Sequence, residues 1–130
     1  MTLRLVLDQY EIVRNDYGYD INFKLYEEDG ATPFNATGYT GVIKSFKRHG
    51  DRTFFFRDVE RAISVLGQVG TIIDDIDVTW VTQSSGIGKF QFTNTKKPSL
   101  TGFLWLEVQL TKSGAKRSSE LVRIFITPSQ

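Results

Sequence analysis

The chain has no cysteine, one histidine and three prolines. Without thiols there can be no disulfide, no cysteine-based zinc site and no thiol nucleophile. The one histidine, His49, lies in the segment KRHGD, which reads as a solvated turn. A Ser-His-Asp triad needs its histidine buried beside its partners, so His49 is a poor catalytic candidate. No stretch approaches the roughly 20 apolar residues of a membrane helix. The opening segment MTLRLVLDQYEIVRND is broken by Arg4, Asp8 and Glu11 and lacks the apolar core of a signal peptide. The sequence therefore predicts a protein made and folded in a cytoplasm, with no membrane insertion. Charge of either sign is not in excess: the formal net charge is +1, so whole-chain charge predicts binding to neither nucleic acid nor membrane.

What is present is apolar mass in a period of two. The 130 residues are 40% hydrophobic and include ten phenylalanines, which suffices for one core and predicts a single domain over residues 1–130. Leu3, Leu5 and Leu7 share one face, as do Ile21, Phe23 and Leu25, the alternation of half-buried strands. Thr40 to Lys47 reads as a further strand closed by RHGD as a turn, and Thr53 to Phe56 as a short one. Ile76, Val78 and Trp80 alternate with Asp77 and Thr79, and Phe90 and Phe92 with Lys89, Gln91 and Thr93. QSSGIG and NTKKPSLTG read as loops. Phe103 to Thr111 and Leu121 to Thr127 are the clearest strands, joined by KSGAKRSS. In Val59 to Ile73, VERAISVL reads equally as a helical turn or an irregular strand. The sum is an all-β chain of about seven to nine short strands at the turn spacing of a sandwich or barrel.

Motifs that would carry chemistry are weak. Asp74, Asp75 and Asp77 in IIDDID lack the alternate acidic positions, turn glycine and final glutamate of a calcium loop, and read as a polar turn. Glu27, Glu28 and Asp29 read as a hairpin tip. Neither GQVG nor SSGIGKF has the spacing or following helix of a phosphate-binding loop. Two basic segments, one with Lys44, Lys47, Arg48 and Arg52 and the other with Lys112, Lys116 and Arg117, suit solubilising loops better than a nucleic-acid track. The sequence predicts no catalytic residue, no cofactor and no metal.

One feature points to a contact surface. If Leu104, Leu106, Val108 and Leu110 face the core, the alternation turns Phe103, Trp105, Glu107 and Gln109 outward. In the last strand, Val122, Ile124 and Ile126 face in and Leu121, Arg123 and Phe125 face out. Neighbouring strands would then gather Phe103, Trp105, Phe125 and Arg123 into an outward patch, the type of surface that marks protein interfaces. The other reading is that a loop or the N-terminal segment covers these side chains within the monomer. A third use of aromatics is stacking on sugars, for which Tyr10, Tyr17, Tyr19, Tyr39 and Trp105 are candidates, with host-surface glycans as the ligand.

The segment DINFKLYEEDGATPFNATGYTGVIKSFKRHGD has a recognisable order. Ile21, Phe23 and Leu25 alternate into Asp29-Gly30; Pro33 and Thr37-Gly38 follow; a second strand, Val42 to Lys47, ends at Gly50. Lys89 to Thr93, Thr101-Gly102 and Phe103 to Thr111 continue it. In this the chain resembles the N-terminal domain of the baseplate upper proteins (BppU-like) of tailed phages that infect Gram-positive bacteria. The resemblance implies an immunoglobulin-like sandwich with a structural role in a virion. Such a domain would bind other virion proteins or copies of itself, with no cofactor and no catalytic residues, and its edge strands would be open to pairing.

Overall fold

A computed structural model of the chain describes residues 2–49, 52–55, 75–98 and 101–128. Among these residues the chain is all-β. Eleven strands are present, and the one helical turn is a 3-10 turn at Gln83–Ser85. They are β1 (Arg4–Leu7), β2 (Glu11–Val13), β3 (Ile21–Tyr26), β4 (Thr40–His49), β5 (Arg52–Phe55), β6 (Ile76–Asp77), β7 (Thr79–Thr82), β8 (Ile87–Phe90), β9 (Gly102–Lys112), β10 (Ala115–Ser118) and β11 (Val122–Thr127). The first sheet has the order β1-β3-β8-β7. The second has the order β2-β11-β9-β4-β5, with β10 on β9 and β6 on β4. The two sheets share one core, in the manner of a β-sandwich.

Alternation explains which side chains fill that core. Leu5, Leu7, Ile21, Phe23, Leu25 and Phe90 come from the first sheet; Ile12, Ile43, Leu104, Leu106, Val108, Leu110, Ile124 and Ile126 come from the second. Each is at most 4% exposed, so each removes nearly a whole side chain from water. Burial on that scale is worth about 1.5–3 kcal/mol per large aliphatic or phenylalanine side chain. The register keeps like with like: Leu5 stands opposite Leu25, Leu7 opposite Phe23, Ile43 opposite Val108 and Ile124 opposite Leu104.

More strands occur than the seven to nine expected, because runs break where the chain passes between sheets and because Ala115–Ser118, within the joining segment KSGAKRSS, forms β10 ahead of a bulge. The N-terminal run breaks after Leu7. There Asp8 accepts hydrogen bonds from the Asn22 backbone N–H at 3.0 Å and the Asn22 amide at 2.8 Å. Beyond it β2 joins the other sheet, parallel to β11, with Glu11 opposite Phe125. The run through Ile76 and Trp80 breaks at Val78, whose N–H still reaches the Gly41 carbonyl, and β7 continues in the first sheet.

The third break sits between β10 and β11, which lie end to end along one edge of β9. Ser118 stands opposite Gln109 and Val122 opposite Leu106. Three residues, Ser119–Leu121, therefore oppose only Glu107 and Val108, which makes a bulge. Ser119 is 4% exposed; its Oγ accepts the Val108 N–H at 2.9 Å and donates to the Glu120 carbonyl at 2.9 Å. The bulge also receives the start of the chain: Leu3 forms a parallel bridge with Ser119, and the Glu120 N–H donates to the Leu3 carbonyl at 2.7 Å.

Several local expectations change. KSGAKRSS is not a loop: Ser113 and Gly114 turn, and β10 pairs back on β9 from Ala115. QSSGIG divides into the 3-10 turn, Gly86, and the first residues of β8. Gly86 sits at φ 69°, where a Cβ would also lie 2.7 Å from the Phe34 carbonyl oxygen, so only glycine fits without displacement. The strand expected to stop before RHGD runs on to His49, paired with Arg52. The expectation for Val59 to Ile73 lies outside the described residues, as does Asp74.

Two substitutions test this packing. Gly88 faces Phe23 across the β3–β8 pair, and a Cβ at Gly88 would lie 2.6 Å from Phe23 Cζ. Gly88→Ala should overpack the core and lower stability by about 1–3 kcal/mol, read from urea unfolding midpoints. Ser119→Ala should cost about 1–3 kcal/mol in the same assay, because the buried Val108 N–H loses its acceptor. A Ser119→Ala midpoint equal to that of wild type would show that the bulge does not depend on this hydroxyl.

Candidate functional site

The outward face of β9 and β11 follows from the inward one. With Leu104, Leu106, Val108, Leu110, Ile124 and Ile126 committed to the core, the period of two sends Phe103, Trp105, Arg123 and Phe125 to the opposite side of the sheet. The antiparallel register brings them together: Phe103 stands opposite Phe125, and Trp105 opposite Arg123. All four residues named from the sequence therefore share one patch.

Its geometry is specific. The Phe103 and Phe125 rings are 5.3 Å apart between centroids and tilted by 59°. They are 42% and 40% exposed, and Trp105 is half-buried. The Arg123 guanidinium lies 4.1 Å from the Phe103 centroid and 5.9 Å from that of Trp105. Stacking of this kind contributes about 0.5–1 kcal/mol at an exposed site and fixes the cation in place. Arg123 is exposed and has no hydrogen bond or ion pair among the described residues.

Two neighbours escape the sequence reading. Glu11 stands opposite Phe125, and Val13, 39% exposed, stands opposite Thr127, both on β2. No local pattern signals that β2 pairs in parallel with a strand more than a hundred residues away. The same pairing answers the question of cover by the N-terminal segment. β2 extends the sheet at the edge of β11 and does not lie across the face of Phe103 and Phe125, which are 42% and 40% exposed.

The remaining candidates are placed elsewhere. Asp75 forms an ion pair with Lys44 at 2.6 Å, and Asp77 lies in β6 opposite Val42. Among the described residues no three acidic or histidine side chains gather as a metal site. Of the basic segments, Lys112 lies over the Tyr39 ring at 5.4 Å and Arg117 over Phe34 at 4.9 Å, while Lys47, Arg48 and Arg52 fall in β4 and β5. The aromatic candidates for sugar stacking are dispersed. Tyr10 and Tyr17 are exposed, Tyr19 is packed against the core, and Tyr39 tilts on Phe34 at 5.7 Å. Tyr39 and Trp80 do border a cleft of about 490 Å³, but Trp80 Nε1 and Gln83 Nε2 there donate to the Tyr39 carbonyl, which occupies their hydrogen bonds internally. A second cleft of about 510 Å³ is polar, with Asp20, Lys89 and Gln91 on its wall. Asp20 accepts from Gln91 at 2.7 Å and from Lys89 at 3.2 Å, and these bonds, that of Gln91 foremost, lower its pKa.

Among the described residues, the largest departure in acidity belongs to the hairpin tip after β3. Asp29 accepts from the Thr32 hydroxyl at 2.6 Å and from the backbone N–H groups of Thr32 and Ala31, both at 2.9 Å. These bonds, the Thr32 hydroxyl foremost, bring the Asp29 carboxyl down from 3.8 to about 2. The acidic tip is thus a turn device, which agrees with the reading of Glu27, Glu28 and Asp29.

No protein-family model matches the chain, and no curated protein sequence matches it.

The Asp29 tip yields a pH test. Its pKa is depressed on folding, so its contribution is fully present above the ordinary value of 3.8 and is lost as pH falls toward about 2. The stability difference between wild type and Asp29→Asn should therefore shrink over that interval, as measured by urea midpoints at successive pH values. A difference that stays constant from about pH 5 to about pH 2 would remove the carboxylate from the account.

Proposed function

We propose that this chain is a non-catalytic interaction module of a tailed-phage virion, an immunoglobulin-like sandwich that binds other virion proteins and copies of itself. The observation that carries the reading is the face of Phe103, Trp105, Phe125 and Arg123. Two exposed phenylalanine rings in contact, with an arginine stacked beside a tryptophan, have the composition found at the energetic centres of protein interfaces. They stand on the two strands with the most regular alternation, held by backbone pairing, so little conformational entropy is lost when a partner docks.

The immunoglobulin-like part of the reading draws support from connectivity. In an immunoglobulin-type sandwich, one sheet carries the first, second, fifth and fourth strands, and the other carries the last, the penultimate and the third with its hairpin partner. The orders β1-β3-β8-β7 and β11-β9-β4-β5 follow that plan, with the N-terminal run shared between the sheets. The virion part draws support from the resemblance of residues 20–51 and 89–111 to the baseplate upper proteins. In this reading the protein is made in the host cytoplasm and carried in the particle. It takes no cofactor and needs neither a bilayer nor nucleic acid. Among the described residues no helix is long and apolar enough to cross a membrane.

Binding of host-surface glycans is the competing reading, and the geometry favours it less. Sugar stacking needs coplanar rings along one groove, whereas the five aromatics are spread over different parts of the sandwich.

Light scattering on the purified chain across a concentration series tests the proposal, with Trp105→Ala and Phe103→Asp alongside and thermal melting as a check on folding. The expected result is a defined oligomer that both substitutions weaken, with dissociation constants raised about tenfold or more. A strict monomer at every concentration, unchanged by either substitution, would remove self-assembly from the reading.

A further inference from the structure

Two opposite charges flank the phenylalanine pair. Glu11 stands beside Phe125 on β2, and Arg123 precedes Phe125 by two residues on β11. Both are exposed, and neither has an ion pair or a side-chain hydrogen bond among the described residues. Within one chain they do not meet. A patch with an apolar centre, one cation on one side and one anion on the other is complementary to a second copy of itself.

We infer that the protein forms a two-fold dimer through this face, with Phe103 and Phe125 of each copy at the centre and Arg123 of each copy paired with Glu11 of the other. The inference rests on the reading of this face as an interface, and it specifies the partner and the pairing. The geometry follows from the register. With strands about 4.8 Å apart and a rise of about 3.4 Å per residue, Glu11 lies about 5 Å to one side of Phe125 and Arg123 about 7 Å along its strand. The line that perpendicularly bisects the Glu11–Arg123 separation then runs between Phe125 and Phe103. A two-fold axis along that line, in the plane of contact, lays each phenylalanine pair on its equivalent. The same rotation carries Arg123 of one copy onto Glu11 of the other. Both ion pairs arise from a single operation, and the arrangement closes as a dimer without leaving a second copy of the patch open. Arg123 arrives with its guanidinium already held on Phe103, so it loses little freedom on pairing.

Charge reversal tests the pairing. Sedimentation velocity is run on the full chain as wild type, Arg123→Glu, Glu11→Arg, the double variant carrying both, and Phe103→Asp, each with thermal melting as a folding control. In either single reversal, like charges face each other across the axis, and the dissociation constant should rise about tenfold or more. The double variant restores opposite charges and should return to within about threefold of wild type. The two single variants mixed in equal amounts should also associate. In the mixed dimer, the acid introduced at position 123 of one chain faces the base introduced at position 11 of the other, and the unchanged Glu11 of the first faces the unchanged Arg123 of the second. A fluorophore on the N-terminal amine of one variant reports this mixed dimer. Failure of both the double variant and the mixture to recover, or indifference of the dimer to the single reversals, overturns the pairing. If Phe103→Asp still weakens association in that case, the face remains an interface and only the two-fold arrangement is lost. If Phe103→Asp has no effect on a dimer that forms, the reading of the face falls together with the pairing.

Discussion

Three residues, Ser119–Leu121, stand against two, Glu107 and Val108, and the rest of the second sheet depends on how that mismatch is held. Side chains alternate along a strand, so a slip of one residue exchanges the inner and outer faces of everything beyond it. Before the bulge, Ser118 opposes the outward Gln109; after it, Val122 opposes the inward Leu106. The extra residue is what turns Ile124 and Ile126 into the core and Arg123 and Phe125 out beside Phe103. Ser119 makes the bulge compatible with burial by accepting the Val108 N–H in place of a strand carbonyl, and it ties the same point to the start of the chain through Leu3.

The outward face is therefore a by-product of core packing until its chemistry is considered. β9 has neighbours on both edges and four leucine or valine side chains committed inward, so the direction of Phe103 and Trp105 is not free to vary. Rigid placement of large aromatic groups beside a stacked arginine is the physical basis of the proposal that this face binds a partner. The contrast with the rest of the molecule supports this. Several aspartates cap turns or pair with lysines, and two cations of the basic segments, Lys112 at the end of β9 and Arg117 in β10, lie over the protein's own rings. Arg123 and Glu11 are both exposed, opposite in charge and without an ion pair among the described residues.

Much of this is legible in the residues. The alternation in Phe103 to Thr111 locates β9 and its two faces, that in Leu121 to Thr127 does the same for β11, and the four patch residues follow from the two together. The acidic hairpin tip is a turn in the sequence pattern and in the structure. Loops are less legible. KSGAKRSS is polar and contains glycine, which are signs of a loop, yet Ala115–Ser118 gain strand structure by pairing with the end of β9. His49 likewise joins a strand because β5 lies alongside. In both places a long-range backbone partner overrides the local preference.

By itself the sequence determined that the chain builds strands, which residues of each strand share a face, and which side chains must leave water. Those properties depend on the period of two and on apolar burial, which are local. Tertiary structure alone decided that β2 runs parallel to β11, that the chain passes between sheets at Asp8 and Val78, and that Glu11 comes to lie beside Phe125. Such pairings join residues distant in sequence through backbone hydrogen bonds, which carry no side-chain signature and are settled only when the sheets close over a common core.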